Sequence, residues 1–197
     1  MQRCALDILN NQDITIAAIL GQYGSGKSYL TMRMALYGVQ EKGYQSQILM
    51  VRSPEGEGKD PGALPGDLDD KVGRFLYPFS QQLDGGFFEL ESLRQRGVID
   101  YNIPYYMKGT SYSSTILICD EAEDLDQKQL RLIGTRIGEN SRIFLSGDYR
   151  QSIVDMSTKN ALVEMCERFK GNKMFGCIYL GEDVRSTTSK MFANLFE

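Results

Sequence analysis

Lys27 and Ser28 close the run Gly21-Gln22-Tyr23-Gly24-Ser25-Gly26-Lys27-Ser28, whose G-x-x-x-x-G-K-S spacing is that of a loop that cradles nucleotide phosphates. Such a loop turns several backbone N–H groups toward one phosphate, and glycines let the backbone approach it closely. Lys27 then serves as a point charge between the β- and γ-phosphates, and the Ser28 hydroxyl as a ligand for Mg²⁺. The whole run from Gly21 to Tyr29, with Gln22, Tyr23 and Ser25 inside it, is the predicted nucleotide contact. A second group of chemistry-bearing residues is Asp120-Glu121, which ends the apolar stretch Thr115-Ile116-Leu117-Ile118-Cys119. Asp120 is predicted to hold Mg²⁺ through its water shell and Glu121 to polarise the attacking water, the pairing a hydrolase needs. The chain has no histidine, so a general base must be a carboxylate, lysine or tyrosine.

These groups need elements that hold them at one place. Ile14 to Leu20 is a continuous apolar run of the kind found in buried parallel strands, and Tyr29 to Glu41 carries Leu30, Met34 and Leu36 among good helix formers. Strand, glycine loop and helix therefore follow in the order that phosphate binding requires. Further strands are predicted at Gln47–Val51, Thr115–Cys119, Ser141–Leu145 and Phe175–Leu180. Helices are predicted at Met1–Leu9, Phe87–Arg96, Gln127–Ile137, Asn160–Lys170 and Thr187–Phe196, with Leu68–Leu83 helical and interrupted by Pro78. Arg52 to Gly66, rich in glycine and proline, reads as a long functional loop. Alternating strands and helices imply a mainly parallel sheet covered on both faces, with ligands at the C-terminal ends of its strands. Gln151, just beyond one such strand end, is the candidate sensor of the γ-phosphate.

Bulk properties narrow the class. A length of 197 residues suits a single domain spanning 1–197, and 42% hydrophobic with 24% charged residues is ordinary for a globular protein. The formal charge of −4 does not by itself mark a nucleic-acid binder. No run reaches membrane-span length and no signal-peptide pattern precedes the first strand, so no membrane association and a cytoplasmic location are expected. Cys4, Cys119, Cys166 and Cys177 lack metal-site spacing and are expected to be free thiols, mostly buried. Tyr101, Tyr105, Tyr106 and Tyr112 interleave with Lys108, which suits either packing of a strand and its loop or stacking on a nucleic-acid strand. Gln2 reads either as an exposed glutamine or as a side-chain amide able to meet an adenine edge.

Assembled, these motifs make the chain resemble the ATPase domain of the PhoH family, P-loop proteins related to superfamily 1 helicases. The resemblance rests on Val51-Arg52-Ser53-Pro54 with Ala63-Leu64-Pro65-Gly66-Asp67-Leu68, Asp120-Glu121-Ala122, Thr135-Arg136-Ile137-Gly138, Gly147-Asp148 with Gln151, and Arg185-Ser186. It implies a three-layer α/β/α, RecA-like fold, Gln2 as an adenine reader, Arg52 as a site residue, and Arg185 as an arginine that approaches the γ-phosphate. Two departures stand out: Glu123 where the family commonly has glutamine, and Lys108-Gly109-Thr110-Ser111 in place of an Arg-Gly-Arg-Thr-like stretch.

The sequence thus leads to hydrolysis of ATP to ADP and phosphate with Mg²⁺, using Lys27, Glu121, Gln151 and Arg185 as the catalytic set. The resemblance implies a homo-oligomeric ring, a hexamer in the family, that remodels single-stranded RNA or DNA. The alternative is a regulatory ATP-binding module whose nucleotide state controls a protein partner. A small-molecule kinase is disfavoured by Glu121, and guanine specificity by the lack of Asp after Asn172-Lys173-Met174.

Overall fold

Each central strand alternates its side chains between two apolar layers, and this alternation generates the architecture. Ala17, Ile19, Ile48, Met50, Ile116 and Ile118 face one buried cluster, and Ala18, Leu20, Leu49, Val51, Leu117 and Cys119 face another. Strands with two greasy faces must be covered twice, which is why the sheet is sandwiched by helices. The computed structural model describes residues 1–53, 76–148, 160–182 and 184. In chain order these form α1 (Gln2–Asn10), β1 (Ile16–Gly21), α2 (Lys27–Leu36), β2 (Gln47–Val51), α3 (Gly86–Gln95), β3 (Ile99–Asn102), β4 (Thr115–Cys119), α4 (Gln127–Gly134), β5 (Arg142–Gly147), α5 (Ala161–Phe169) and β6 (Phe175–Leu180). The sheet order is β3-β2-β4-β5-β1-β6 and every pairing is parallel. α1, α2 and α3 contribute to the first cluster, and α4 and α5 to the second, giving a three-layer α/β/α, RecA-like fold.

Register decides which loops meet. β5 lies between β1 and β4, pairing Leu20 with Gly147 and Cys119 with Leu145. The glycine loop after β1 and the acids after β4 therefore emerge at the same edge, one strand apart.

The helix expected to run to Glu41 starts earlier, at Lys27, and leaves α geometry at Leu36, where Tyr37–Glu41 widens into a π turn. Gly43, at φ +63°, then reverses the chain. The expected helix Gln127–Ile137 ends at Gly134, and Thr135 to Gly138 instead turn to meet Tyr112. Asp126 and Gln129 begin that helix with a reciprocal capping box. The ambiguous stretch 98–112 contains the edge strand β3 and a 3₁₀ turn at Pro104–Met107. The thiols depart from expectation: Cys119 is buried, but Cys4 and Cys177 are exposed and Cys166 is half-buried, with its sulfur 4.0 Å from that of Cys177. Those three sit on helices or an edge strand with one face open to solvent. Residues 54–66 of the expected loop Arg52–Gly66, the 68–75 portion of the expected helix Leu68–Leu83, Gln151, Arg185 and the closing helix lie outside the described residues.

At the opposite edge Arg142 ties the first helix to the sheet. Its buried guanidinium donates to the carbonyls of Leu9 at 2.7 Å, Asn11 at 2.8 Å, Ile14 at 2.9 Å and Ile8 at 3.3 Å. Burial lowers its pKa to about 10, so it stays charged at neutral pH. Truncating it strands several enclosed acceptors. Arg142→Met is expected to cost about 3 kcal/mol of stability, read as a lower urea midpoint with an unchanged slope; a loss below about 0.5 kcal/mol would show the clamp to be dispensable.

Candidate functional site

The glycine loop folds as its spacing requires. Gly26, at φ +84°, caps α2, a conformation that a side chain would strain. A Cβ on Gly21 would sit 2.4 Å from the Leu180 carbonyl oxygen, so β6 and the loop pack together only because residue 21 has no side chain. Ser25 is buried and its hydroxyl donates to the Gln22 carbonyl at 2.8 Å, bracing the turn. Lys27 Nζ lies inside the curve of the loop, donating to the carbonyls of Gly21 at 2.8 Å and Gln22 at 2.9 Å. Tyr23 and Tyr29 stand exposed on either side, the latter with the Arg33 guanidinium 5.4 Å from its ring centre. Gln2 Nε2 lies 3.7 Å from the position a Cβ on Gly26 would take, so α1 delivers its first glutamine to the loop.

Asp120 is the hub. Its Oδ1 accepts one hydrogen bond from Ser28 Oγ and another from Ser146 Oγ, both at 2.7 Å. Ser146 was not singled out in the sequence. Its signal is positional: Cys119 pairs with Leu145, so the next step of the parallel register sets 120 beside 146. The donor set is hard oxygen: two hydroxyls and one carboxylate at the mouth of a phosphate loop. That fits Mg²⁺, which takes few protein ligands and completes its shell with water and phosphate oxygens. No cluster of three or more His, Cys, Asp or Glu side chains suited to a metal occurs among the described residues, so an all-protein cage is not offered there.

Glu121 follows with a left-handed backbone, φ +51° and ψ +44°, which turns its side chain away from the Asp120 face. Arg52, at the end of β2, holds it: Nε donates to Oε2 at 2.8 Å and the terminal guanidinium nitrogen pairs with the same oxygen. Both contacts fall on Oε2, leaving Oε1 outside this pair. The structure thus brings Gln2, Lys27, Ser28, Asp120, Glu121 and Arg52 to one edge, with Arg52 engaged by a carboxylate.

Glu123, the departure noted in the sequence, is 7% exposed and lies against Gly147, where a Cβ would come 2.5 Å from its Oε2. Burial pushes its carboxyl up to about 7; backbone N–H groups of Asp148 and Glu123 pull the other way, Asp124 adds to the rise, and Lys27 opposes it. Asn160 Nδ2 donates to the Glu123 carbonyl at 2.9 Å, joining the start of α5 to this turn.

A family model described as PhoH-like protein matches residues 1–197. The chain belongs to the PhoH family. Protein PhoH2 of Bacillus subtilis is 31% identical to this PhoH-family chain over 203 residues, covering 98% of the chain and 46% of that protein. Protein PhoH of Escherichia coli K12 is 25% identical over 167 residues, 83% of the chain and 47% of that protein. The PhoH-family chain therefore spans about half the length of these curated relatives. Among solved structures, the Pif1 helicase from Candida albicans has a TM-score of 0.48 and 14% identity, with 98% of this chain and 42% of that one covered. Family and loop together identify a P-loop NTPase. No helix among the described residues is long and apolar enough to cross a membrane.

Glu123 makes this PhoH-family fold sensitive to pH. Folded, the group keeps its proton up to about pH 7, whereas an ordinary glutamate ionises near 4.5. Between those values the folded state holds more protons than the unfolded one, so its contribution to stability falls as pH rises and is flat above the folded pKa. Glu123→Gln removes that penalty and is expected to raise the melting temperature by roughly 5 °C at about pH 8, with little change near pH 4. Equal melting of the two proteins at the higher pH would contradict the assignment.

Proposed function

We propose that residues 1–197 form one ATPase domain that hydrolyses ATP to ADP and phosphate and couples turnover to single-stranded nucleic acid, in a homo-oligomer in the cytoplasm. The observation that carries the hydrolytic part is the union of the Gly21–Ser28 loop with Asp120 and Glu121 at one sheet edge, joined by the Ser28–Asp120 hydrogen bond. The loop amides between Gln22 and Ser28 receive the phosphates. Lys27 exchanges its two carbonyl partners for phosphate oxygens, replacing neutral acceptors with charged ones. Gln2 is near enough to Gly26 to reach a base lying over the loop, and exposed Tyr23 and Tyr29 flank the same mouth.

Ser28 and Asp120 hold Mg²⁺, which when bound neutralises phosphate charge. Glu121 orients and polarises the attacking water through the carboxylate edge that Arg52 does not occupy. Arg52 is accordingly a positioning residue for Glu121 in this proposal, in addition to lying at the nucleotide edge. Gln151 is retained as the γ-phosphate sensor, and Arg185 as the arginine that meets transition-state charge within or across subunits. The hexamer and the coupling to RNA or DNA are supported by family membership alone.

A regulatory module with slow turnover is the second reading, favoured by one observation: Glu121 is already gripped by Arg52. The two readings part in a phosphate-release assay with ATP and Mg²⁺, run with and without single-stranded RNA or DNA. Glu121→Gln is expected to lower turnover about a hundredfold while ATP still binds; unchanged turnover would overturn the role given to Glu121, and no turnover in the parent would overturn the hydrolase assignment. Strong stimulation by a polymer supports coupling, and its absence supports the regulatory module. Arg52→Ala is expected to lower kcat about tenfold with KM for ATP nearly constant, the pattern of a lost transition-state contact. A raised KM at constant kcat would instead make Arg52 a nucleotide ligand only.

A further inference from the structure

The end of β3 carries an exposed feature that the nucleotide site does not use. The 3₁₀ turn Pro104–Met107 buries Pro104 and Met107 and so pushes Tyr105 and Tyr106 outward, where they are 68% and 65% exposed. Their rings meet edge to face, centroids 5.4 Å apart, and Lys108 Nζ lies 4.9 Å from the centre of the Tyr105 ring. Two adjacent tyrosines exposed to this degree are not explained by core packing, whereas Met107 beneath them is fully buried and anchors the turn.

Basic side chains gather at the same place, on a helix whose one flanking carboxylate, Asp126, is engaged in capping its first turn. The turn packs against α4, and the two are stitched beyond the helix end: Tyr112 N donates to the Arg136 carbonyl at 2.8 Å and Gly138 N to the Tyr112 carbonyl at 2.7 Å. In a chain with net charge −4, residues 101–119 and 127–138 contain no carboxylate, yet they supply Lys108, Lys128, Arg131 and Arg136. Lys128 and Arg131 are three residues apart on one turn of α4 and both are exposed. None of the four forms an ion pair with a described carboxylate.

We propose that this aromatic and basic surface, made by the 3₁₀ turn and α4, binds single-stranded polynucleotide, with bases stacked on Tyr105 and Tyr106 and phosphates against Lys108, Lys128 and Arg131. Exposed aromatic rings beside cations that form no ion pair with a described carboxylate are what a single strand needs, and they read no sequence. β3 and β1 stand four strands apart in the sheet order, about 19 Å, so the surface stays open when a nucleotide fills the loop. Arg52, on the neighbouring β2 and gripping Glu121, lies between the two sites and shares a small pocket with Tyr101, Asn102 and Ile103, the residues that lead into the tyrosine turn. The proposal rests on the nucleic-acid half of the function given above and says which residues of the chain carry it.

The test is fluorescence anisotropy of the full chain with labelled oligouridylate and oligodeoxyuridylate of about 20 nucleotides, with and without ATP, at several salt concentrations. The variant Tyr105→Ala/Tyr106→Ala is expected to weaken binding roughly ten- to a hundredfold, while Tyr105→Phe/Tyr106→Phe, which keeps the rings, binds as the parent does. Lys128→Ala/Arg131→Ala is expected to reduce the salt slope by about one to two. Melting curves and polymer-free phosphate release, expected to match the parent, separate a lost surface from a lost fold. Preference for one oligonucleotide supports the proposal and names the sugar. Parent binding that none of the variants alters overturns this surface and leaves nucleic-acid coupling standing. A parent that binds neither oligonucleotide overturns both, with ATP hydrolysis still judged by its own assay. Displacement of the oligonucleotide by polyglutamate at equal charge concentration also overturns the proposal and points to an acidic protein partner.

Discussion

One carboxylate oxygen, Asp120 Oδ1, is shared between the hydroxyls of Ser28 and Ser146. The three residues come from α2, from the turn after β4 and from β5, so the contact exists only if the strand order, the parallel sense and the register are all correct. A slip of one residue between β4 and β5 would turn Asp120 to the other face. The insertion of β5 between β1 and β4 sets the distance across which the phosphate loop and the acids face each other. Gly21 and Gly147 serve the same end, each letting a neighbour approach where a Cβ would collide, and Gly26 takes a positive φ that a side chain would strain. Arg142 secures the opposite edge, so the site end of the sheet is left to carry chemistry.

The acids near this hub present an electrostatic problem that the fold solves in three ways. Four of the five residues from Asp120 to Asp124 are carboxylates. Asp120 is satisfied by hydroxyl donors, Glu121 by the Arg52 guanidinium, and Glu123 by burial that keeps its proton. Separating them demands the left-handed backbone at Glu121, which sends neighbouring side chains in different directions. A cation at Asp120 and Ser28 would relieve the same crowding, so nucleotide and metal binding and the protonation of Glu123 draw on one local field.

The sequence made the sheet legible because its strands are short apolar runs ended by turn chemistry, and β2 and β6 fall at their expected limits. Helix ends were less legible: the π turn after Leu36 and the stop at Gly134 depend on tertiary contacts, since Thr135 to Gly138 are drawn off to pair with Tyr112. The loop, Asp120 and Glu121 announce themselves by spacing. Ser146 and the Arg52–Glu121 pair do not, because strand order is needed to know that residues so far apart in sequence are neighbours. The tyrosines of the 3₁₀ turn could be read two ways until burial separated Met107 from Tyr105 and Tyr106. The exposure of Cys177 likewise follows from the place of β6 at the edge of the sheet.

In the function proposed above, Asp120, positioned by Ser28 and Ser146, couples a divalent cation to nucleotide binding. Calorimetric titration of ATP with and without Mg²⁺, in the parent protein and in Asp120→Asn, tests it most directly. Mg²⁺ is expected to tighten ATP binding about tenfold in the parent, and the substitution to abolish this gain while metal-free affinity stays nearly constant. A variant that keeps the full gain from Mg²⁺ would contradict it.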